Sequence, residues 1–184
     1  MNYIELIDYL YPAHRKVRGI LLSHSRCVAD LALKIARENH MDLDAGDIEQ
    51  AAMLHDIGII FTDAPGIDCR GDKPYICHGP IGADIIREAG LDERFARVAE
   101  RHTGSGLTCD EIVSQSLPLP LDRSYMPESD LEKLICYADC FYSKGVDVMR
   151  MKSKEKVKQQ MARFGQDSLN RFLSLEEKFK SNIS

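Results

Sequence analysis

Apolar side chains recur through most of the chain at intervals of three and four residues, which is the period of an α-helix. Two stretches show this most clearly; their apolar positions are Ile20, Cys27, Val28, Leu31 and Ile35 in the first, and Ile81, Ile85, Ile86 and Ala89 in the second. The strict alternation of apolar and polar residues that is typical of strands is rare. The pattern therefore predicts an all-α fold.

Residues that start and stop helices divide this pattern into segments. We expect a short helix before Pro12, a long helix from there to Glu38, and a third helix that has Asp44 as its N-cap and ends near Asp56. Further helices are expected over about residues 79–89, 92–102, 109–116 and 129–143. Residues 59–77 and 117–128 are rich in turn-forming residues, so both stretches are expected to be irregular.

A separate helical extension is expected at the C-terminal end, over about residues 150–182. Its apolar stripe consists of Val157, Met161, Phe164, Phe172, Leu175 and Phe179. Gly165 can divide this extension into two helices, because glycine commonly ends a helix. We expect the extension either to close the helical bundle or to make a homodimer contact.

The composition is typical of a soluble globular protein, and we expect a single domain over residues 1–184. Hydrophobic residues make up 44% of the chain and charged residues 29%, which is enough for a substantial core. No apolar run approaches the roughly 18 residues of a membrane span, and Glu5 and Asp8 stand where a signal peptide needs a basic start. A cytoplasmic location is expected.

The six cysteines are expected to be reduced. The chain is large enough to fold without disulfides and contains no Cys-x-x-Cys pair. We interpret all six as packing residues, with a position beside a metal as the alternative for Cys77.

Charge is distributed unevenly along the chain. The formal net charge is −5, yet residues 150–184 hold nine Lys or Arg against four acidic residues. The rest of the chain is therefore strongly acidic, which argues against broad nucleic-acid binding. We interpret the basic run Arg150–Lys158 as a solvated helix face, although it could also attract an anionic substrate or partner.

Six residues with metal-binding side chains fall on the apolar faces or at the ends of the predicted helices: His24, His55, Asp56, His78, His102 and Asp139. Any one of these histidines alone would be interpreted as an ordinary core residue with a satisfied hydrogen bond. Four imidazoles and two carboxylates buried together would be costly without compensating charge. Divalent metals supply that charge and accept such ligands, so the set predicts a metal site in the core of the bundle.

The adjacent pair His55-Asp56 suggests two metal subsites rather than one. Side chains of consecutive residues at a helix end diverge by about 100°, so both can reach the core and one carboxylate can bridge two ions. We expect His24, His55, Asp56 and Asp139 around one metal, and His78, His102 and the bridging Asp56 around the second. Two ions about 3.5–4 Å apart suit phosphate displacement, and Asp56 is our candidate catalytic residue.

These residues carry a resemblance to a known family. His24, the pair His55-Asp56 within His-Asp-Ile-Gly, and Asp139 match the H…HD…D signature of the HD superfamily of metal-dependent phosphohydrolases. The resemblance covers roughly residues 20–145 and implies a helical HD-domain bundle. His78-Gly79 and the segment Arg101–Gly104 resemble the two-metal subset, and the chain as a whole is similar to small stand-alone bacterial and archaeal HDIG proteins. No Gly-Tyr-Pro motif is present, which argues against hydrolysis of cyclic dinucleotides.

Three basic residues are candidates for binding the substrate. Lys144 follows Asp139 by five residues, at a position where similar HD enzymes often hold phosphate with a basic side chain. Arg26 follows His24, and Lys73 lies in the long irregular stretch between Asp56 and His78. Long loops in compact domains are often functional, although for each of these residues a solvated surface role is an equal alternative.

The sequence thus predicts an enzyme with two divalent metal ions (Fe, Mn, Co, Ni, Zn or Mg) that hydrolyses a small phosphate ester, in particular a nucleotide. One alternative is a di-iron oxygenase, because His and Asp ligands do not distinguish iron from manganese. Another is a non-catalytic module that senses a ligand. The complete ligand set argues against this last alternative, since a degenerate domain would be expected to lack some ligands.

Overall fold

The chain folds into a bundle of α-helices. The computed structural model describes residues 2–13, 15–145, 147 and 149–180. Within these ranges the helices are α1 (Tyr3–Leu10), α2 (Lys16–Glu38), α3 (Ala45–Leu54), α4 (His78–Glu88), α5 (Glu93–Arg101), α6 (Cys109–Ser114), α7 (Asp130–Asp139), α8 (Lys154–Phe164) and α9 (Gln166–Lys178). The prediction of an all-α fold is confirmed.

The stretch between α3 and α4 was expected to be irregular, and it contains a small ribbon. Strands β1 (Asp63–Ala64) and β2 (Cys69–Arg70) pair antiparallel, and short 3-10 turns flank them. Arg15 ties this ribbon to the start of α2, because its Nη2 donates to the Asp68 carbonyl at 2.8 Å. The long loop is therefore held against the bundle.

Side-chain caps fix several helix starts. Asp44 accepts a hydrogen bond from the Asp47 amide at 3.1 Å, so its prediction as the N-cap of α3 is confirmed. Ser129 caps α7, and Ser153 caps α8, in the same manner. Each cap satisfies an amide that has no partner inside the helix.

The long helix α2 lies at the centre and packs against α3 and α7, while α4 and α5 form an adjoining pair. The buried side of α2 includes Val17, Leu21, Val28, Leu31 and Ile35. Tyr11, at the end of α1, is fully buried and donates from its hydroxyl to the Ile57 carbonyl at 2.7 Å. This bond joins the N-terminal helix to the turn that follows α3.

The buried face of α4 differs from the expected one. Ala83 and Ile86 are buried, whereas Ile81 and Ile85 are only half-buried. The reason is that small residues let α4 lie very close to its neighbours. A Cβ atom added to Gly79 would lie 2.9 Å from the Ala99 carbonyl oxygen of α5, so the contact requires glycine.

The C-terminal extension forms two helices, and α9 packs against α7. Gly165, with φ of 129°, separates α8 from α9, in agreement with the expected division. Phe172 of α9 and Phe179, directly after this helix, each have their ring 5.5 Å from the ring of Tyr137 on α7. Phe164 was predicted on the buried stripe, but it is 52% exposed because it is the last residue of α8. The homodimer contact remains a prediction.

Helix α7 ends at Asp139, four residues before the expected boundary. Phe141 turns inward just after this helix and is fully buried, with its ring 5.1 Å from that of Tyr137. Among the described residues, no helix is both long and apolar enough to cross a membrane.

Candidate metal centre

Five helices bring the six predicted ligands to one buried point. His24 lies in the middle of α2 and Asp139 ends α7, while His78 begins α4. His55 and Asp56 directly follow α3, and His102 directly follows α5. Helix ends supply most of the set because side chains there can turn toward a point shared by several helices.

The first group consists of His24, His55, Asp56 and Asp139, whose ligand atoms all lie within 4.8 Å of one another. The Nε2 atom of His24 lies 3.2 Å from Asp56 Oδ2 and 2.9 Å from Asp139 Oδ1. The Nε2 atom of His55 lies 3.1 Å and 3.4 Å from the same two oxygens. Two nitrogens and two oxygens thus surround one point.

The second group consists of Asp56, His78 and His102. The Nε2 atoms of the two histidines lie 3.0 Å apart, and each lies 3.4 Å from Asp56 Oδ1. Asp56 therefore presents one carboxylate oxygen to each group. This arrangement is the one expected of a bridging ligand.

Backbone carbonyls orient three of the four imidazole rings. The Nδ1 atoms of His55, His78 and His102 lie 2.6, 2.6 and 2.8 Å from the carbonyl oxygens of Ala52, Tyr75 and Ala99. A carbonyl can only accept a hydrogen bond, so each Nδ1 donates. The Nε2 atoms of neutral rings then carry lone pairs toward the centre, which is the usual arrangement of metal-binding histidines.

The convergence of lone pairs fits divalent cations. Asp56 Oδ1 and Asp139 Oδ1 are buried without a hydrogen bond in the described part of the chain, and they face imidazole nitrogens. Buried polar atoms without partners are costly unless something else satisfies them. A donor set of imidazole nitrogens and carboxylate oxygens fits Mn, Fe, Co, Ni and Zn.

Both carboxylates are poised to be ionised. Burial alone raises the pKa of Asp56, but positive charge on His55 and Lys144 outweighs burial and holds this pKa well below its usual value. Burial likewise opposes ionisation of Asp139, and Lys144 and the histidines again lower its pKa well below the usual range. Both carboxylates are therefore negatively charged at neutral pH and can bind cations.

The histidines respond to these carboxylates in opposite ways. Burial lowers the pKa of His55, yet Asp56 and Asp139 raise it to about 10. For His78 burial prevails and lowers the pKa to about 3, which leaves the ring neutral. A metal ion in the first group would displace the proton that His55 otherwise holds.

The three predicted substrate-binding residues occupy different places. Lys144 lies in the turn after α7, and its Nζ is 2.7 Å from Asp56 Oδ2. Arg26 is exposed and pairs with Glu49 at 3.0 Å, while Lys73 is exposed beside Asp72. Of these three, only Lys144 borders the cavity described below.

A cavity of about 460 Å³ opens beside the second ligand group. His78, His102, Asp139 and Lys144 form its polar end. The other lining residues include Leu107, Leu117, Met161, Phe164, Lys152, Gln160 and Arg171. The sequence did not identify Lys152 or Gln160, because the basic run that contains Lys152 was interpreted as a solvated helix face.

Comparison with known proteins identifies the family. Residues 21–143 match the family described as HD domain, and this span includes all six ligands. The chain belongs to the HD domain family. The predicted membership, made from four of these ligands and their order, is confirmed.

Curated relatives of this HD domain include archaeal proteins. A tRNA (cytidine(56)-2'-O)-methyltransferase of Thermoplasma volcanium is 30% identical over 84% of this chain and 42% of its own length. An uncharacterized protein of Methanocaldococcus jannaschii is 34% identical over 69% of this chain and 68% of its own. The chain therefore spans less than half of the methyltransferase that it matches.

Solved structures show the same fold. The HD domain of the phosphodiesterase PgpH of L. monocytogenes has a TM-score of 0.53 and 15% identity, with 94% of each chain covered. The same domain in complex with cyclic-di-AMP has a TM-score of 0.53 and 14% identity over 99% of each chain. At this identity the likeness establishes a common architecture.

Proposed function

We propose that this HD domain is a metal-dependent phosphohydrolase that uses two divalent ions. The observation that carries the proposal is the sharing of Asp56 by two ligand groups at the polar end of a cavity. Divalent cations bound there would supply positive charge that polarises a phosphate group and lowers the pKa of a nearby water. Membership in the HD domain family supports the same activity.

The side chains of the chain itself have distinct roles in this proposal. Asp56 holds both ligand groups together, and the backbone carbonyls behind His55, His78 and His102 keep these rings aimed at the centre. Lys144 is 14% exposed and lies beside the carboxylates, so its ammonium can contact a phosphate oxygen that enters the cavity. We propose Lys144 as a phosphate-binding residue.

The cavity favours a nucleotide over a bare phosphate ester. Its polar end can hold phosphate, while Leu107, Leu117, Met161 and Phe164 offer apolar contact to a nucleoside. A volume of about 460 Å³ lies in the range of small-molecule sites. The PgpH domain, solved with cyclic-di-AMP, is an HD domain that binds a nucleotide.

Two relatives are named as tRNA methyltransferases, but this chain matches less than half of each. The chain covers 42% and 38% of the two methyltransferases, from Thermoplasma volcanium and Picrophilus torridus. Most of each relative thus lies outside the match, and methyl transfer can reside there. The six candidate ligands lie within residues 21–143, which match the HD domain, so we assign phosphate hydrolysis to this domain.

The test is phosphate release by the purified protein from a panel of nucleotides and p-nitrophenyl phosphate, with and without added Mn²⁺, Co²⁺, Ni²⁺ or Fe²⁺. We expect metal-dependent release that Asp56→Asn abolishes, since this change affects both ligand groups. His102→Ala should remove one ion and most of the activity. Metal content of each variant, measured by elemental analysis, links the loss of activity to the loss of ions.

His40→Ala is the matched control, because His40 is exposed and lies outside both ligand groups. It should retain metal and activity. A metal-loaded protein that stays inactive on the whole panel, or a His102→Ala variant with full activity and two ions, would contradict the proposal.

A further inference from the structure

Among the described residues that line the cavity, Lys152 is a cation without an acidic partner. Lys144, Lys152 and Arg171 line the cavity. Lys144 lies 2.7 Å from Asp56, and Arg171 lies 2.7 Å from Glu111. Within the described ranges, no carboxylate comes within ion-pair distance of Lys152.

Two neutral oxygens hold the ammonium of Lys152 in place. Its Nζ donates to the Cys140 carbonyl at 3.0 Å and to Gln160 Oε1 at 3.3 Å. A lysine ammonium has three N–H donors, so a third remains for another acceptor. Lys152 is half-buried, and burial lowers its pKa. A partly desolvated cation of this kind gains from an incoming anion.

The position of Lys152 relates it closely to the metal centre. Cys140, whose carbonyl accepts from Lys152, directly follows the ligand Asp139. Asp139 raises and Lys144 lowers the pKa of Lys152, so the ammonium lies within electrostatic range of the polar end of the cavity. A group that Lys152 binds must therefore be close to the phosphate at the metals.

We propose that Lys152 binds a second phosphate directly linked to the phosphate at the metal centre. The substrate is then a phosphoanhydride, such as a nucleoside diphosphate or triphosphate. This inference rests on the proposed hydrolase function and specifies its substrate class. Gln160, on α8, positions Lys152, and both residues lie beyond the span that matches the HD family.

Hydrolysis of such a substrate breaks one P–O bond of the anhydride bridge. The oxygen of water bonds to the phosphorus at the metal centre, and the bridging oxygen leaves with the electron pair on the second phosphate. The proton that the water loses passes to the solvent. Lys152 then offsets the negative charge that develops on the leaving phosphate.

The test compares the binding of two non-hydrolysed probes by calorimetry: α,β-methylene adenosine diphosphate and the phosphonate analogue of adenosine monophosphate, in which carbon replaces the ester oxygen. Both are titrated into Mn²⁺-loaded protein, and neither measurement depends on turnover. We expect the diphosphate analogue to bind about 10- to 100-fold more tightly, as one charge-assisted hydrogen bond implies. Lys152→Gln should bring the ratio of the two affinities close to one, while Lys152→Arg should preserve it.

Lys156→Gln is the matched control, since it removes the same charge from a nearby residue that lies outside this cavity. It should keep the preference for the diphosphate analogue. If Lys152→Gln unfolds, Gln160→Glu serves instead, because a carboxylate beside Lys152 should neutralise it and weaken only the diphosphate analogue.

The two proposals fail in different ways. Equal affinities in the wild-type protein, or a preference that Lys152→Gln and Gln160→Glu leave unchanged, would overturn the assignment of Lys152 even if metal-dependent hydrolysis is observed. Conversely, a preference that depends on Lys152 in a protein with no hydrolytic activity would support the second phosphate site and contradict the proposed function.

Discussion

Of the residues that the structure describes, Asp56 alone belongs to both ligand groups. Its two oxygens face different pairs of histidines, at 3.1–3.2 Å on one side and 3.4 Å on the other. Removal of either histidine pair would leave one group intact, whereas a change at Asp56 affects both. This asymmetry makes Asp56 the most informative single position in the centre.

Phe164 offers a test of the nucleoside part of the cavity. The residue is 52% exposed at the end of α8, so Phe164→Ala should change the free energy of unfolding by less than about 0.5 kcal/mol. Loss of a stacking surface should raise KM for the preferred nucleotide at least about fivefold. The KM for p-nitrophenyl phosphate should stay the same. Steady-state kinetics with both substrates provide the measurement.

Leu173→Ala is the control for this experiment. Leu173 is 39% exposed on α9 and lies outside the cavity, so its loss should affect neither substrate. A Phe164→Ala enzyme whose KM rises equally for nucleotide and p-nitrophenyl phosphate would show that Phe164 does not contact the nucleoside.

At the scale of elements, close packing of α4 positions half of the metal centre. Gly58, in the turn after Asp56, touches the start of α4: an added Cβ would lie 2.2 Å from the carbonyl oxygen of His78. Gly82 of α4 lies against the same turn. The small size of these residues therefore sets the distance between Asp56 and His78.

Gly58→Ala should destabilise the protein and disturb the second ligand group. The clash involves backbone atoms, which cannot move aside as a side-chain tip can, so we expect a loss of about 1–3 kcal/mol in the free energy of unfolding. Bound metal should fall toward one ion, because α4 carries His78. Denaturant unfolding and elemental analysis measure the two effects.

Gly19→Ala is the comparison for Gly58→Ala. Gly19 lies in α2 with no atom within 4 Å of an added Cβ, so alanine there should stabilise the helix by up to about 1 kcal/mol. Its metal content should be that of the wild type. Full metal binding by Gly58→Ala would show that α4 can shift without moving His78 away from Asp56.

Some helices and site residues could be predicted from the sequence and others could not, and the difference has physical causes. Helical period and caps locate α2 and α3 well, and the six ligands stand out because buried His and Asp need compensation. The end of α7 was predicted too late because Phe141, just after it, packs against Phe172 of α9, which is distant in sequence. The position of Lys152 in the cavity could not be predicted from the sequence, because only the folded chain brings it to Cys140 and Gln160.

At the scale of the whole molecule, the metal centre connects α2, α3, α4, α5 and α7. The ligand groups come together only in the folded chain, so cations that bind there favour folding by mass action. Metal occupancy should therefore control the stability of the entire bundle.

Removal of metal should lower the melting temperature of the wild-type protein markedly. An ion present at 100 times its dissociation constant stabilises the folded state by about 2.7 kcal/mol, which for a chain of this size corresponds to about 5–10 °C. We expect a fall of this order on dialysis against a chelator, reversed by Mn²⁺, in thermal unfolding followed by circular dichroism.

Asp56→Asn should show almost no difference between chelator and Mn²⁺, since it impairs both groups. His40→Ala should behave as the wild type does. A wild-type melting temperature that is the same with chelator and with Mn²⁺ would mean that ions do not link these helices, and it would remove the basis for a structural role of the centre.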